Sequence, residues 1–304
     1  MRTLFPMPGG FSVARCEACG LARTLPEVPA AEIGRYYPPS YYGVQNRRFH
    51  PLLEWAVTVF RKRRVWQIQR FVATGRALDV GCGRGITLSQ LRDEGWATAG
   101  VEISETAAAQ ARAALGDSIF VGDVVEGPWE PESFDVVVLW HVLEHLPDPF
   151  AVLAKTRQLL RPGGLLVIAV PNLESLQALA TGGRWFHLDV PRHYWHFGTR
   201  ILTRLLEAKG FRIRNVSHFS LEQNPYGWLQ SLLNRAGFPP NLLYDILKRR
   251  SARDVVHPFR RHPVASILLA PALVVAFPVS LVLTLVEAAL RRGGTIEIYA
   301  ERRE

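Results

Sequence analysis

Residues 76–170 predict an α/β chain built on a largely parallel, doubly wound sheet. Three observations carry that expectation. Five short apolar runs alternate with helical stretches, as repeated βαβ units require. A glycine-rich turn, Gly81-Cys82-Gly83-Arg84-Gly85, joins the first run to the first helix. Arg161-Pro162-Gly163-Gly164 stops a helix just before the longest run.

Taken in order, the strands fall at 77–80, 98–101, 118–121, 135–139 and 165–170. Helices fill the gaps at 86–94, at the alanine-rich 106–115 and at 150–160. A further amphipathic helix at 199–209 is closed by Gly210, and strands follow at 211–219 and 295–300. There is no internal repeat and no low-complexity tract.

At 304 residues, with 48% hydrophobic and 21% charged residues, the chain can bury a full core and is neither disordered nor collagen-like. The three cysteines, Cys16, Cys19 and Cys82, cannot build a disulfide framework, which points to a reducing compartment. Residues 1–11 hold one arginine and no apolar run of signal-peptide length, so a cytoplasmic location is expected. The net charge of +9 is unevenly spread: +7 over residues 1–70, −2 over 71–220 and +4 over 221–304. A neutral centre between basic flanks favours an anionic surface met by the appendages. Nucleic acid is a poor candidate partner, because the basic runs lack interleaved aromatics.

Asp79 stands at the head of the glycine turn, where free amides at the helix start face a ligand. A dinucleotide fingerprint wants glycine at position 86, and Ile86 stands there. Glu102, ending the second strand, can accept hydrogen bonds from both ribose hydroxyls. Asp123, after the third, can accept from an adenine amino group. Trp140 and His141, after the fourth, would flank the remainder of the ligand. Asp79, Gly81, Gly83 and Gly85 resemble the S-adenosylmethionine loop of class I methyltransferases.

The segments His141-Val142-Leu143-Glu144-His145-Leu146-Pro147-Asp148-Pro149 and Leu160-Arg161-Pro162-Gly163-Gly164 look like those of the UbiG-like group, which contains the ubiquinone-biosynthesis O-methyltransferases. The likeness covers residues 71–220 and the final strand. It implies a Rossmann-like fold, a seven-stranded, mostly parallel sheet with an antiparallel last strand, and S-adenosyl-L-methionine as methyl donor. Relatives carry a Glu-x-x-Glu-His pattern that can hold a divalent metal. Here His141 replaces the first glutamate, so no metal is expected, and His141 and His145, four apart, would share a helix face.

Residues 185–197 pack His187, His193, His196, Asp189, Arg192 and five aromatics into thirteen positions after the fifth strand. Either this is an acceptor lid with His193 or His196 as the base that takes the acceptor's proton, or its aromatics fill core. Cys16-Glu17-Ala18-Cys19-Gly20 resembles a zinc-ribbon leader reduced to one pair, with His50 as at most a third ligand.

Residues 263–286 carry no charge for 24 positions. A membrane crossing would strand the closing strand on the far side, and Lys248, Arg249, Arg250, Arg253, Arg260 and Arg261 before the run and Arg291 and Arg292 after it keep both flanks cytoplasmic. Pro271 and Pro278 are expected to break the run into a helical hairpin that dips into one leaflet. The stretch 52–60, bracketed by Arg47-Arg48 and Arg61-Lys62-Arg63-Arg64, would lie on the same surface. Four segments follow: a leader (1–70), a cofactor-binding core (71–220), a membrane-associating insertion (221–292, with 248–292 as the anionic-lipid contact) and the last strand (293–304). The expected activity is O-methylation of a small or lipid-linked acceptor by a monotopic or peripheral enzyme at the inner membrane face. A soluble sugar or other small molecule as acceptor, and a non-catalytic methyltransferase-like membrane adaptor, are the alternatives.

Overall fold

The computed structural model describes residues 1–37, 51–247 and 261–304. The chain forms two compact units that interleave along the sequence. One takes Met1–Trp55, Pro171–Thr199 and Ser217–Ile296, and the other takes Ala56–Val170, Arg200–Val216 and Glu297–Glu304. The four linear segments read from the sequence are thus redistributed, the leader between both units.

Strands β1 (Arg2–Pro6), β2 (Ser12–Arg15) and β3 (Ala22–Leu25) form antiparallel hairpins in the first unit. After helices α1 (Ala30–Ile33) and α2 (Pro51–Gln69), the second unit develops as β4 (Arg76–Val80), α3 (Ile86–Asp93), β5 (Ala97–Glu102), α4 (Glu105–Leu115) and β6 (Ile119–Val121). It continues through β7 (Phe134–Trp140), α5 (Pro149–Leu159) and β8 (Leu160–Pro171). Then come α6 (Leu176–Thr181), β9 (Trp195–His196), α7 (Thr199–Ala208), β10 (Phe211–Ser217), α8 (Asn224–Arg235), α9 (Leu242–Leu247), α10 (Pro263–Ala289) and β11 (Thr295–Arg302).

The second unit's sheet has seven strands in the order β10-β11-β8-β7-β4-β5-β6, mostly parallel with the last strand antiparallel. Burial on both faces explains the unbroken apolar runs: Val136, Val137, Val138 and Leu139 of β7 have no exposed surface. Each such side chain contributes about 1.5–3 kcal/mol. Asp79 of β4 pairs with Val138 of β7 and Gly100 of β5, so the ends of three parallel strands lie side by side. Helix starts are fixed locally: the Ser104 side chain caps α4 through the Ala107 amide, and Asp148 caps α5 through the amides of Phe150 and Ala151. Residues 161–164 do not precede β8, as the sequence had suggested, but lie within it. Leu160 already pairs with Phe134, and the register shifts before Val136 meets Leu165.

In the first unit β9 adds to the hairpins, with Ala22 opposite His196 and Arg23 opposite Trp195. The expected hairpin at 263–286 is one continuous 27-residue helix with Pro271 and Pro278 inside it. Each proline removes only its own helical hydrogen bond, and packing along α8 holds the axis through both. The basic residues 248–260 and His50 lie outside the described residues.

Candidate functional site

The glycine turn is drawn tightly over the end of β4. The amides of Gly81 and Cys82 both donate to the Val101 carbonyl, at 2.7 and 3.0 Å. Gly81 takes φ 70°, and a Cβ there would stand 2.6 Å from a Val142 methyl, so only glycine fits. Gly83 takes φ 55° with open space on its side-chain face. Gly85 begins α3 with no side-chain cap.

Glu102 is buried rather than a surface group. Its Oε2 accepts from the Gly83 amide and its Oε1 from the Ser104 amide, both at 2.9 Å. Burial pushes its carboxyl up, against the pull of those amides. Asp79 is also buried, and its pKa is pushed up to about 7 by desolvation, opposed by Arg64 and Arg61 and assisted by the Glu102 charge. Asp123 is exposed and accepts from the Val125 amide at 2.8 Å, which turns the chain after β6.

At the end of β7 the geometry departs from the sequence expectation. His141 sits at φ 54°, and its amide donates to the Ala169 carbonyl. It precedes a short 3-10 turn, Leu143–His145, so it shares no helix face with His145. The left-handed turn instead brings its Nδ1 to 3.1 Å from Oε1 of Glu144, which is 1% exposed. Trp140 Nε1, His141 Nε2 and Glu144 Oε2 are all buried and lack a protein partner.

Arg64 escaped the sequence reading. Rather than facing an anionic surface, it is buried, its guanidinium 3.8 Å from the Trp140 ring centroid and hydrogen-bonded to Thr87 at 3.2 Å. Arg63 likewise turns inward, 3.2 Å from the wholly buried Glu297. Arg63 pairs with buried Glu297, and the Arg64 charge favours the ionised form of buried Asp79 against the burial that opposes it. The only sequence signal was a basic run beside a strand that carries an acid.

The histidine-rich segment belongs to the first unit and is mostly core, not an open lid: Trp185, Leu188, Tyr194 and Phe197 are buried. His196 is buried in β9, 3.0 Å from Thr24 Oγ1, and desolvation pulls its pKa down to about 3. That suits a structural imidazole rather than a base. His193 is buried with Nε2 at 3.8 Å from Asp189 Oδ2, and Asp189 also holds Arg192. Cys16 and Cys19 lie as free thiols on the β2–β3 turn of an antiparallel sheet, and neither the sheet nor the relatives lend support to a zinc-ribbon leader.

A family model described as a methyltransferase domain matches residues 59–216, just over half of the chain. The chain belongs to the class I S-adenosylmethionine-dependent methyltransferases. Among similar proteins, the ubiquinone biosynthesis O-methyltransferase of Thiobacillus denitrificans is 33% identical over 156 residues, 49% of this chain and 66% of that protein. A probable S-adenosylmethionine-dependent methyltransferase of Mycolicibacterium smegmatis is 31% identical over 140 residues, 46% of this chain and 52% of the other. The chain thus spans about half to two thirds of the length of these relatives. The fold also resembles that of the Haemonchus contortus phosphoethanolamine N-methyltransferase 2, solved with S-adenosyl-L-methionine, at TM-score 0.52 and 18% identity over 80% of this chain and 53% of that one.

The chain's own residues suit the family's cofactor, S-adenosylmethionine. Trp140 Nε1 is a donor suited to a carboxylate and Glu144 Oε2 an acceptor suited to an ammonium, the two groups at the amino-acid end of S-adenosylmethionine. Glu102, fixed by two amides, keeps lone pairs for ribose hydroxyls, and the bare face of Gly83 admits close approach.

Proposed function

We propose that this protein methylates an oxygen of a small or lipid-linked acceptor at the cytoplasmic face of a membrane. Three unpartnered buried polar atoms at the end of β7, beside the Asp79–Gly85 turn and Glu102, support its cofactor part, and the similarity to ubiquinone biosynthesis O-methyltransferases supports oxygen as the acceptor atom. When bound, S-adenosylmethionine would supply an electrophilic methyl group on a sulfonium that leaves as the neutral thioether. The protein's contribution is chiefly alignment and exclusion of water. Asp79, Glu102 and Asp123 are the proposed polar contacts, and Trp140 and His141 flank the methionyl part. His193, oriented by Asp189, is the proposed base for the acceptor's proton. His141, held by Glu144 with Nε2 unpartnered, supports the same role and is the second reading.

The test has two arms. Calorimetry with S-adenosylmethionine and its demethylated product should show binding, and absence of binding to either would refute the cofactor assignment. Lipid and polar extracts from cells with and without the gene should then differ by one methylene on some metabolite. Binding with no such difference would favour a non-catalytic adaptor.

A further inference from the structure

Helix α10 is built inside out. The side chains it turns inward include Ser266, Ser280, Thr284 and Glu287, all buried. Those it turns outward include Ile267 at 74% exposure, Val274 at 75%, Val282 at 60% and Leu285 at 63%. Water would impose the opposite arrangement. The ridge runs the length of a 27-residue helix, about 40 Å at 1.5 Å per residue. We infer that this ridge lies flat in the boundary between headgroups and acyl chains of an anionic bilayer, as an in-plane helix that does not cross. The inference rests on the membrane part of the function proposed above and specifies how the contact is made.

Three observations select this occupant and this orientation. First, both ends of α10 are tied to the same unit. Near its start, Leu269 and Leu273 pack with Leu229, Leu233 and Leu242. At its end, Glu287 Oε1 accepts from Gln177 Nε2 at 3.0 Å and from the Gly294 amide at 3.2 Å. A transverse crossing would carry one of these attachments, and the buried polar side chains of α8 with it, into hydrocarbon.

Second, Pro271 and Pro278 both lie on the exposed side, and each deprives a carbonyl of its regular helical donor, at Ile267 and Val274. Water reaches those carbonyls at the bilayer boundary. Neither the hydrocarbon centre nor a dry helix-to-helix interface with a second copy would supply it.

Third, exposed Arg261 precedes the helix, and exposed Arg291 and Arg292 follow it. Cations at both ends of an apolar ridge match the negative potential of an anionic leaflet.

The test uses the full-length protein and vesicles of phosphatidylglycerol mixed with phosphatidylethanolamine, against pure phosphatidylcholine. Flotation should recover the protein with the anionic vesicles, and high salt should weaken the binding. Val274→Glu with Val282→Glu should cut partitioning about tenfold or more, with affinity for the demethylated cofactor unchanged. For depth, Ile267→Cys, Val274→Cys and Leu285→Cys, each in a chain with Cys16→Ser and Cys19→Ser, would carry an environment-sensitive dye. Quenching should place all three at one shallow depth. A graded depth would overturn the in-plane orientation. A stable dimer in sedimentation, with no vesicle binding, would overturn the lipid assignment in favour of a second copy. Vesicle binding without cofactor binding would instead count against the proposed activity.

Discussion

The imidazole Nδ1 of His141 lies 3.1 Å from Oε1 of Glu144, across a left-handed turn that no helix continues. One carboxylate oxygen thus fixes the imidazole and the other is left unpartnered in a buried position. Glu144→Gln keeps the shape but removes the charge. It should lower affinity for S-adenosylmethionine about tenfold or more, since a hydrogen bond to a charged group is worth about 1.5–3 kcal/mol. Titration calorimetry showing unchanged affinity would remove Glu144 from the cofactor site.

Glu102→Ala should cost both binding and stability. The carboxylate holds the amides of Gly83 and Ser104, so its loss leaves those donors without their partner as well as removing the proposed ribose contact. A drop in melting temperature equivalent to about 1–3 kcal/mol should accompany the lost affinity. Full affinity in a folded variant would make the ribose assignment wrong.

Asp79 gives stability a definite pH dependence. Its folded pKa of about 7 lies above the ordinary aspartate value of 3.8, so between the two the folded state holds a proton that the unfolded chain releases. This group's contribution is therefore full below about 4 and is lost as pH rises towards 7. Asp79→Asn should gain stability relative to the native chain over that interval and run parallel to it above. Denaturant midpoints taken across pH 4 to 8 check the sign.

His193 and His196 should separate. His193→Gln should depress turnover far more than cofactor affinity once an acceptor is in hand, and equal losses would mark a structural histidine. His196 resists protonation when folded, so its contribution is present above about 6.5 and lost as pH falls towards 3. His196→Gln should flatten acid unfolding in that window and leave the pH profile of turnover unmoved.

Arg64→Ala should destabilise by about 1–3 kcal/mol at about pH 8 and by less at about pH 5, where Asp79 carries its proton, because it removes a cation that favours ionised Asp79 and uncovers the Trp140 ring. Adding Asp79→Asn should recover part of the loss, and an additive double variant would show the two are uncoupled.

Much of the sheet was legible because strands buried on both faces read as unbroken apolar runs, and β11 was legible as a run returning after a charge-free stretch. That Asp79, Glu102 and Asp123 stand at or just past the ends of parallel strands was legible from the length of the apolar runs. The misreadings share a cause: sequence shows the type of a residue but not its direction. Arg63 and Arg64 looked like a basic surface until their buried acids appeared. His141 and His145 had helical spacing, but one left-handed residue broke the turn. Pro271 and Pro278 looked like breaks until α8 was found to support the helix past them.

The position of β11 also sets an order in time. It stands between β10 and β8, yet it is translated after α10. While the nascent chain is emerging, β10 has no neighbour to join it to β8, and the apolar ridge leaves the ribosome before the sheet can close. A chain halted before residue 295 would lack β11 and leave β10 unjoined to β8, a half-built sheet edge open to other chains.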